Sequence, residues 1–138
     1  MDYIIGIDPD LHFNGFAIYC KETKEFTNIV SIPMWNVFEW VLELNKTSQI
    51  EVFLEYPDNT NTYHLGGKGA ALNVGKNQAV AIILKEFLEY HKILFRLLKP
   101  KGYSQFFKNK DNFKRQTGWS KQTNEDARSA AAIIFINK

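Results

Sequence analysis

One cysteine in 138 residues, Cys20, excludes an internal disulfide, and with only three histidines beside it a thiolate zinc site has too few donors. No stretch comes near the roughly 18 consecutive apolar residues of a membrane span. The first residues also lack the basic-then-apolar pattern of a secretory leader. A cytoplasmic protein with no membrane partner is expected, and Cys20 reads as a small strand residue. There is no room for a second domain, so residues 1–138 are expected to form one. That length suffices for a genuine core, and a hydrophobic content of 45% argues against disorder. Internal repeats and low-complexity linkers are absent as well.

What the chain does have is charge in the wrong proportions. Its net charge is +2, yet residues 92–121 hold nine basic side chains against the single acid Asp111, which makes that block +8 and the remainder −6. Lys99, Lys101, Lys108, Lys110, Lys114 and Arg115 belong to it. A basic block in an otherwise acidic protein is either a solvated face or a polyanion-binding surface, where lysine and arginine displace counterions from phosphates. Phe106, Phe107, Phe113 and Trp119 interleave with these charges. Some of these aromatics must be the core side of short helices, so base stacking does not follow from them alone.

Tyr3-Ile4-Ile5-Gly6-Ile7-Asp8 is an apolar, β-branched run that reads as an interior strand, and Pro9 forces the chain into a turn directly after the carboxylate. A second strand is expected over residues 15–20, a polar turn over 21–24 and a third strand over 25–32. These three form an antiparallel meander. Pro33 suits a first helical position, and Met34, Val37, Phe38, Val41, Leu42 and Leu44 follow at helical spacing until residues 45–48 break the pattern. A fourth strand is expected over residues 50–56, stopped by Pro57. Residues 58–69 form a polar loop, long for so small a domain. A helix follows from about 70 to 90, then a fifth strand over 92–98 before Pro100. Short helices are expected over 103–107 and 111–115. A last helix begins at Thr123-Asn124-Glu125-Asp126, with acids in its first turn.

Three meander strands followed by strands joined through helices make an α/β protein with a mixed five-stranded sheet and helices on both faces. That is the layout of the ribonuclease H-like fold. Its strand order, 3-2-1-4-5, sets the strand that ends in Asp8 beside the strand that ends in Glu55. Ile5-Gly6-Ile7-Asp8-Pro9 with Asn14-Gly15-Phe16-Ala17-Ile18 resembles the opening of RuvC-type Holliday junction resolvases, and Phe53-Leu54-Glu55 resembles that family's second acidic strand. Val74-Gly75-Lys76-Asn77-Gln78-Ala79-Val80-Ala81 is similar to its glycine-led helix start. Lys110 with Phe113 resembles its lysine motif, and Asn124-Glu125-Asp126-Ala127-Arg128-Ser129-Ala130-Ala131 its C-terminal acidic helix. The likeness spans essentially the whole chain in order, and the short length is most like bacteriophage-type members.

The resemblance implies a homodimer that cuts four-way DNA junctions by paired symmetric hydrolysis, in the cytoplasm of a bacterial or phage-infected cell. Two Mg²⁺ ions can serve both ends of an in-line displacement, with Mn²⁺ able to take their place, and such hard ions prefer carboxylate oxygens. Asp8 would bridge the metals, Glu55 would hold one, and Asp126 would complete the cluster, with Ser129 at the family's fourth acidic position. Lys76, Lys99 or Lys110 would hold the scissile phosphate. Lys101, Lys108, Lys114 and Arg115 would follow the backbone, and His12 and His64 lie in the loops nearest the expected site.

Ser129 replaces a carboxylate, so either Glu125 or Asp10 compensates, three acids suffice, or cleavage is impaired. Asp58 stands where the family has an aromatic wedge, leaving Tyr56 or Tyr63 to open a junction. Asp10 stands where the family has glycine. Other readings are a ribonuclease H-like nuclease with another DNA or RNA substrate, a junction-binding protein without cleavage, and an actin-like ATPase, whose nucleotide needs two such domains. Without these roles, Asp8 is an Asp-Pro turn residue, Glu55 a solvent-facing strand residue and Asp126 a helix-end acid.

Overall fold

A computed structural model describes residues 2–57 and 67–138, with side chains described for 2–57 and 75–138. The β-branched runs form β1 (Tyr3–Asp8), β2 (Asn14–Cys20) and β3 (Glu25–Ile32), paired antiparallel in sequence order. Lys24, at φ 59°, closes the polar turn between β2 and β3. Pro33 sits just outside helix α1 (Met34–Thr47), because its ψ of 158° keeps it extended and one residue short of the expected helical start. The helix also runs past the expected break at Asn45, its last turn held by Lys46 against Glu43 at 2.8 Å. Val37 and Val41 form its buried stripe.

After β4 (Ile50–Glu55) come α2 (Gly67–Tyr90), β5 (Leu94–Leu98), the short α3 (Tyr103–Phe106), α4 (Lys110–Thr117) and α5 (Glu125–Asn137). Asp58, Tyr63 and His64 of the expected long loop lie outside the described residues. Asn109 caps α4 by accepting the backbone N–H groups of Asp111 and Asn112, and Asn124 caps α5 by accepting that of Ala127. Gly118, at φ 72°, ends α4 in the left-handed conformation that glycine adopts most readily. Among the described residues no helix is long and apolar enough to cross a membrane.

The sheet order is β3-β2-β1-β4-β5, with β1–β4 and β4–β5 parallel. This is the expected mixed α/β sheet of the ribonuclease H-like fold. Alternation along each strand sends residues to two cores. Ile5, Ile7, Phe16, Val52 and Leu54 pack with α1 and α2 on one face. Ile4, Ala17, Tyr19 and Phe53 pack with α5 on the other, where Tyr103, Phe107 and Phe113 close over it. Coverage of both faces explains why β1 and β2 are almost uninterrupted apolar runs.

Helix α5 is buried from Ala127 through Ile134. Two strand glycines let it lie directly on the sheet. A methyl group on Gly6 would collide with the Ala130 carbonyl and lie 2.8 Å from Ile134 Cγ1, while one on Gly15 would collide with the Asp126 carbonyl and lie 3.2 Å from Asp8 Cβ. Arg128 fixes the start of the same helix. Its Nε donates to the Phe107 carbonyl at 3.1 Å, and Nη1 donates to both the carbonyl and the hydroxyl of Thr123 at 3.1 Å. The arginine is 92% shielded from solvent, at 8% exposure. It is a structural clamp where an apolar residue would be the ordinary choice.

Gly6→Ala is expected to destabilise the fold by about 2 kcal/mol or more, because the obstacle is a backbone carbonyl that cannot rotate aside. Gly75→Ala, in α2 with nothing among the described residues within 4 Å of the added carbon, should be neutral or stabilising by up to about 1 kcal/mol. Urea unfolding of the two variants measures the difference; equal effects would contradict the close packing of α5.

Candidate active site

Asp8 is the last residue of β1 and Glu55 the last of β4. The parallel register pairs Ile7 with Leu54, so the two carboxylates leave adjacent strands at the same level. By alternation both share the α5 face with Ile4 and Phe53. Each strand is stopped by a proline, and the cleft that opens at the strand ends is lined by Asp8, Pro9, Glu55, Pro57, Asn77 and Pro100, with a volume of about 180 Å³. Three of the chain's four prolines thus wall one cleft.

Asp8 and Glu55 hydrogen-bond to each other, and one of two carboxyl groups in such a pair must carry the proton. Burial is the largest influence on Asp8, followed by the charge of Glu55 and their hydrogen bond, then by the charges of Asp126 and Asp10. Together they push its pKa from 3.8 up to about 9. Burial also raises Glu55, while the hydrogen bond from Asp8 pulls it the other way. The consistent state has the Asp8 hydroxyl donating to an ionised Glu55.

Asp126 reaches the neighbourhood through the close approach of α5 at Gly15. Burial raises its pKa first, then the charges of Asp10 and Glu125. Asp10 therefore belongs to the same electrostatic group, although it sits in the turn after β1. Its backbone N–H donates to Asn14 Oδ1 at 3.0 Å and its carboxylate accepts from the His12 N–H at 3.1 Å. His12 itself is exposed. Asn14 is fully buried, with Nδ2 unpartnered among the described residues.

The donor set consists of oxygens alone, which suits a hard divalent cation such as Mg²⁺ or Mn²⁺. Asp8 and Glu55 converge closely enough to share a proton, and a cation would relieve the same repulsion. Among the described residues, however, no three acid, histidine or cysteine side chains close around one point as a preformed metal cluster. Asp126 stands beside the pair and influences it through charge. Ser129 lies one helical turn beyond Asp126 and is buried at 2% exposure.

The expected phosphate ligands are spread more widely. Lys99 and Lys101 flank Pro100 at the cleft and are exposed. Lys76 is exposed on α2, while its neighbour Asn77 lines the cleft. Lys108, Lys110, Lys114 and Arg115 are exposed along the α3–α4 segment, and none of these seven cations pairs with an acid among the described residues. Tyr56 is half-buried against the α1–α2 core, with its N–H donating to the Leu98 carbonyl at 2.8 Å. Asn77 is the cleft residue that sequence reasoning passed over: it lies in the glycine-led stretch, but the charge of Lys76 drew the assignment.

No protein-family model matches this chain, and no curated protein matches it by sequence. Among solved structures it is similar to T. thermophilus RuvC in complex with a Holliday junction substrate, with a TM-score of 0.57 and 13% identity, over 96% of this chain and 92% of that one. The fold is RuvC-like. At that identity the similarity shows architecture, and residue roles rest on the cleft itself.

Because Asp8 binds its proton up to about pH 9 when folded and only to about 3.8 when unfolded, metal-free unfolding at neutral pH releases a proton. Stability should therefore fall as pH rises between those values, with Glu55 and Asp126 acting in the same direction. Asp8→Asn should raise the melting temperature of metal-free protein by several degrees at pH 8, and the gain should vanish below pH 4. Thermal scans in chelator across that range check this; a pH-independent difference would contradict the buried pair.

Proposed function

We propose that the chain is a divalent-metal-dependent endonuclease that nicks four-way DNA junctions as a homodimer. The observation that carries this reading is the hydrogen-bonded Asp8–Glu55 pair at the carboxyl ends of two adjacent parallel strands, in a RuvC-like fold. Two half-buried acids held at one point are unfavourable to folding without a proton or a cation between them. A cation that does chemistry there would offset that cost.

Asp8 and Glu55 would hold the metal, with Asp126 and Asp10 adding negative potential beside it. When bound, Mg²⁺ supplies a Lewis acid that makes water acidic enough to attack a phosphodiester and offsets charge on the departing oxygen. To hold the cation both carboxylates would be ionised, so Asp8 would have to lose the proton it shares with Glu55. The side-chain amide of Asn77, which lines the cleft, would donate to a phosphate oxygen there. Lys99 and Lys101 at the rim attract the backbone, and the exposed cations from Lys108 to Arg115 extend that attraction along the α3–α4 segment. The prolines that wall the cleft keep the ends of β1, β4 and β5 from continuing over it.

Junction selectivity is supported by likeness to a protein solved with a Holliday junction substrate. A homodimer is supported by the two-fold symmetry of a junction, which calls for two matched cuts. A second reading, junction binding without cleavage, is favoured by the buried Ser129 in place of an acid and by the absence of a closed three-acid cluster among the described residues.

The test is incubation of a labelled four-way junction, a matched linear duplex and an RNA/DNA hybrid with Mg²⁺, Mn²⁺ or chelator. Paired symmetric nicks confined to the junction are expected, lost by at least about a hundredfold in Asp8→Asn with junction binding retained, as removal of several kcal/mol of metal-assisted stabilisation requires. Cutting of all three substrates would replace the junction reading with a general nuclease. Tight binding without product would establish the second reading.

A further inference from the structure

At the opposite end of the sheet from the carboxylates lies a larger basin of about 400 Å³. Its floor is Ile4, Tyr19 and Phe53, on the same sheet face as Asp8 and Glu55. Four cations rim it: Lys21 and Lys24 from the β2–β3 turn, Arg96 from β5 and Lys138 after α5, against the single acid Glu51. None of Lys21, Lys24 and Lys138 has an ion-pair partner among the described residues.

The arginine is held in place rather than free. Its guanidinium lies 4.6 Å from the Phe53 ring centroid, Nη1 donates to the Asn137 carbonyl at 3.4 Å, and Nη2 stands 3.8 Å from Glu51. That ion pair is long and half-exposed, which leaves much of the guanidinium's positive field uncancelled. Lys138 Nζ sits 5.3 Å from the Tyr19 ring and 5.5 Å from that of Phe135. Ring faces thus orient two of the cations, and the positive φ of Lys24 turns the β2–β3 corner tightly enough to bring both of its lysines to one rim.

An open basin with a largely aromatic floor, rimmed by lysines that have no ion-pair partner among the described residues, suits an anion. Guanidinium and ammonium groups converging from three elements match a phosphate group, whose oxygens accept several charge-assisted hydrogen bonds at once. The two ends of α5 tie this basin to the cleft: Asp126 lies in its first turn and Asn137 is its last residue. At 1.5 Å per residue the helix separates them by about 17 Å. A duplex advancing 3.4 Å per base pair spans that distance in about five base pairs.

We propose that this basin is a second phosphate-binding site, which holds the backbone of a nucleic-acid strand away from the point of chemistry. It extends the nucleic-acid reading of the cleft, but it is tested without cleavage. Isotope-labelled protein in chelator is titrated with a 20-base-pair linear duplex and, separately, with inorganic phosphate at constant ionic strength, while backbone amide signals are followed by NMR. Duplex is expected to move the signals of Lys21, Lys24, Arg96 and Asn137, with phosphate moving the same set more weakly.

In parallel, Lys21→Gln with Lys24→Gln, both at exposed turn positions, should weaken duplex binding. It should also make the slope of log affinity against log salt shallower by about one per lysine. Response to phosphate alone, with duplex leaving these signals and the slope unchanged, would overturn the nucleic-acid assignment. Silence to both would overturn the site. Failure of junction nicking with the basin responding as described would count against the nuclease reading and leave this one standing.

Discussion

The hydrogen bond between Asp8 and Glu55 is the constraint on which the rest of this structure depends. Two parallel strands end in carboxylates at one level, and burial with mutual repulsion forces a proton onto one of them. The surrounding fold does little to relieve that repulsion and in places adds to it. Gly15 lets α5 bring Asp126 beside Asp8, and the turn after β1 keeps Asp10 near through the buried amide of Asn14. Stability elsewhere makes this tolerable: two cores cover both sheet faces, and Arg128 pins the start of α5 to Phe107 and Thr123.

The charge distribution follows the same logic at longer range. Acids gather at the cleft and exposed lysines lie along its rim and over the α3–α4 segment, so under the proposed function a polyanion would be drawn toward a locally negative point where a cation would offset the repulsion. The basin at the far end of α5 has the reverse character, positive and aromatic, and would suit a phosphate without a metal. One helix thus spans an acidic cleft at one end and a basic basin at the other.

Much of this was legible in the sequence because it is written in strong local signals. Strand-ending acids followed by prolines, and an order of strands and helices that matches the ribonuclease H-like layout, led to the sheet order and to Asp8 and Glu55 as neighbours. What stayed hidden depends on packing. Arg128 reads as an ordinary surface cation, since nothing local shows that its Nε would donate to the Phe107 carbonyl 21 residues upstream. Asn77 was overshadowed by the charge beside it, and the partial packing of Tyr56 against the α1–α2 core has no local signal. The basin escaped notice because its cations come from three elements far apart in the chain, outside the contiguous basic block except for Arg96.

The most direct measurement of the central claim is the number of protons released when Mg²⁺ binds. Calorimetric titration at pH 7 in two buffers of different ionisation enthalpy gives that number. If the carboxylate pair holds a proton that a cation displaces, about one proton leaves per chain on binding, and none leaves from Asp8→Asn. Binding of Mg²⁺ without proton release, or no binding at all, would contradict the account.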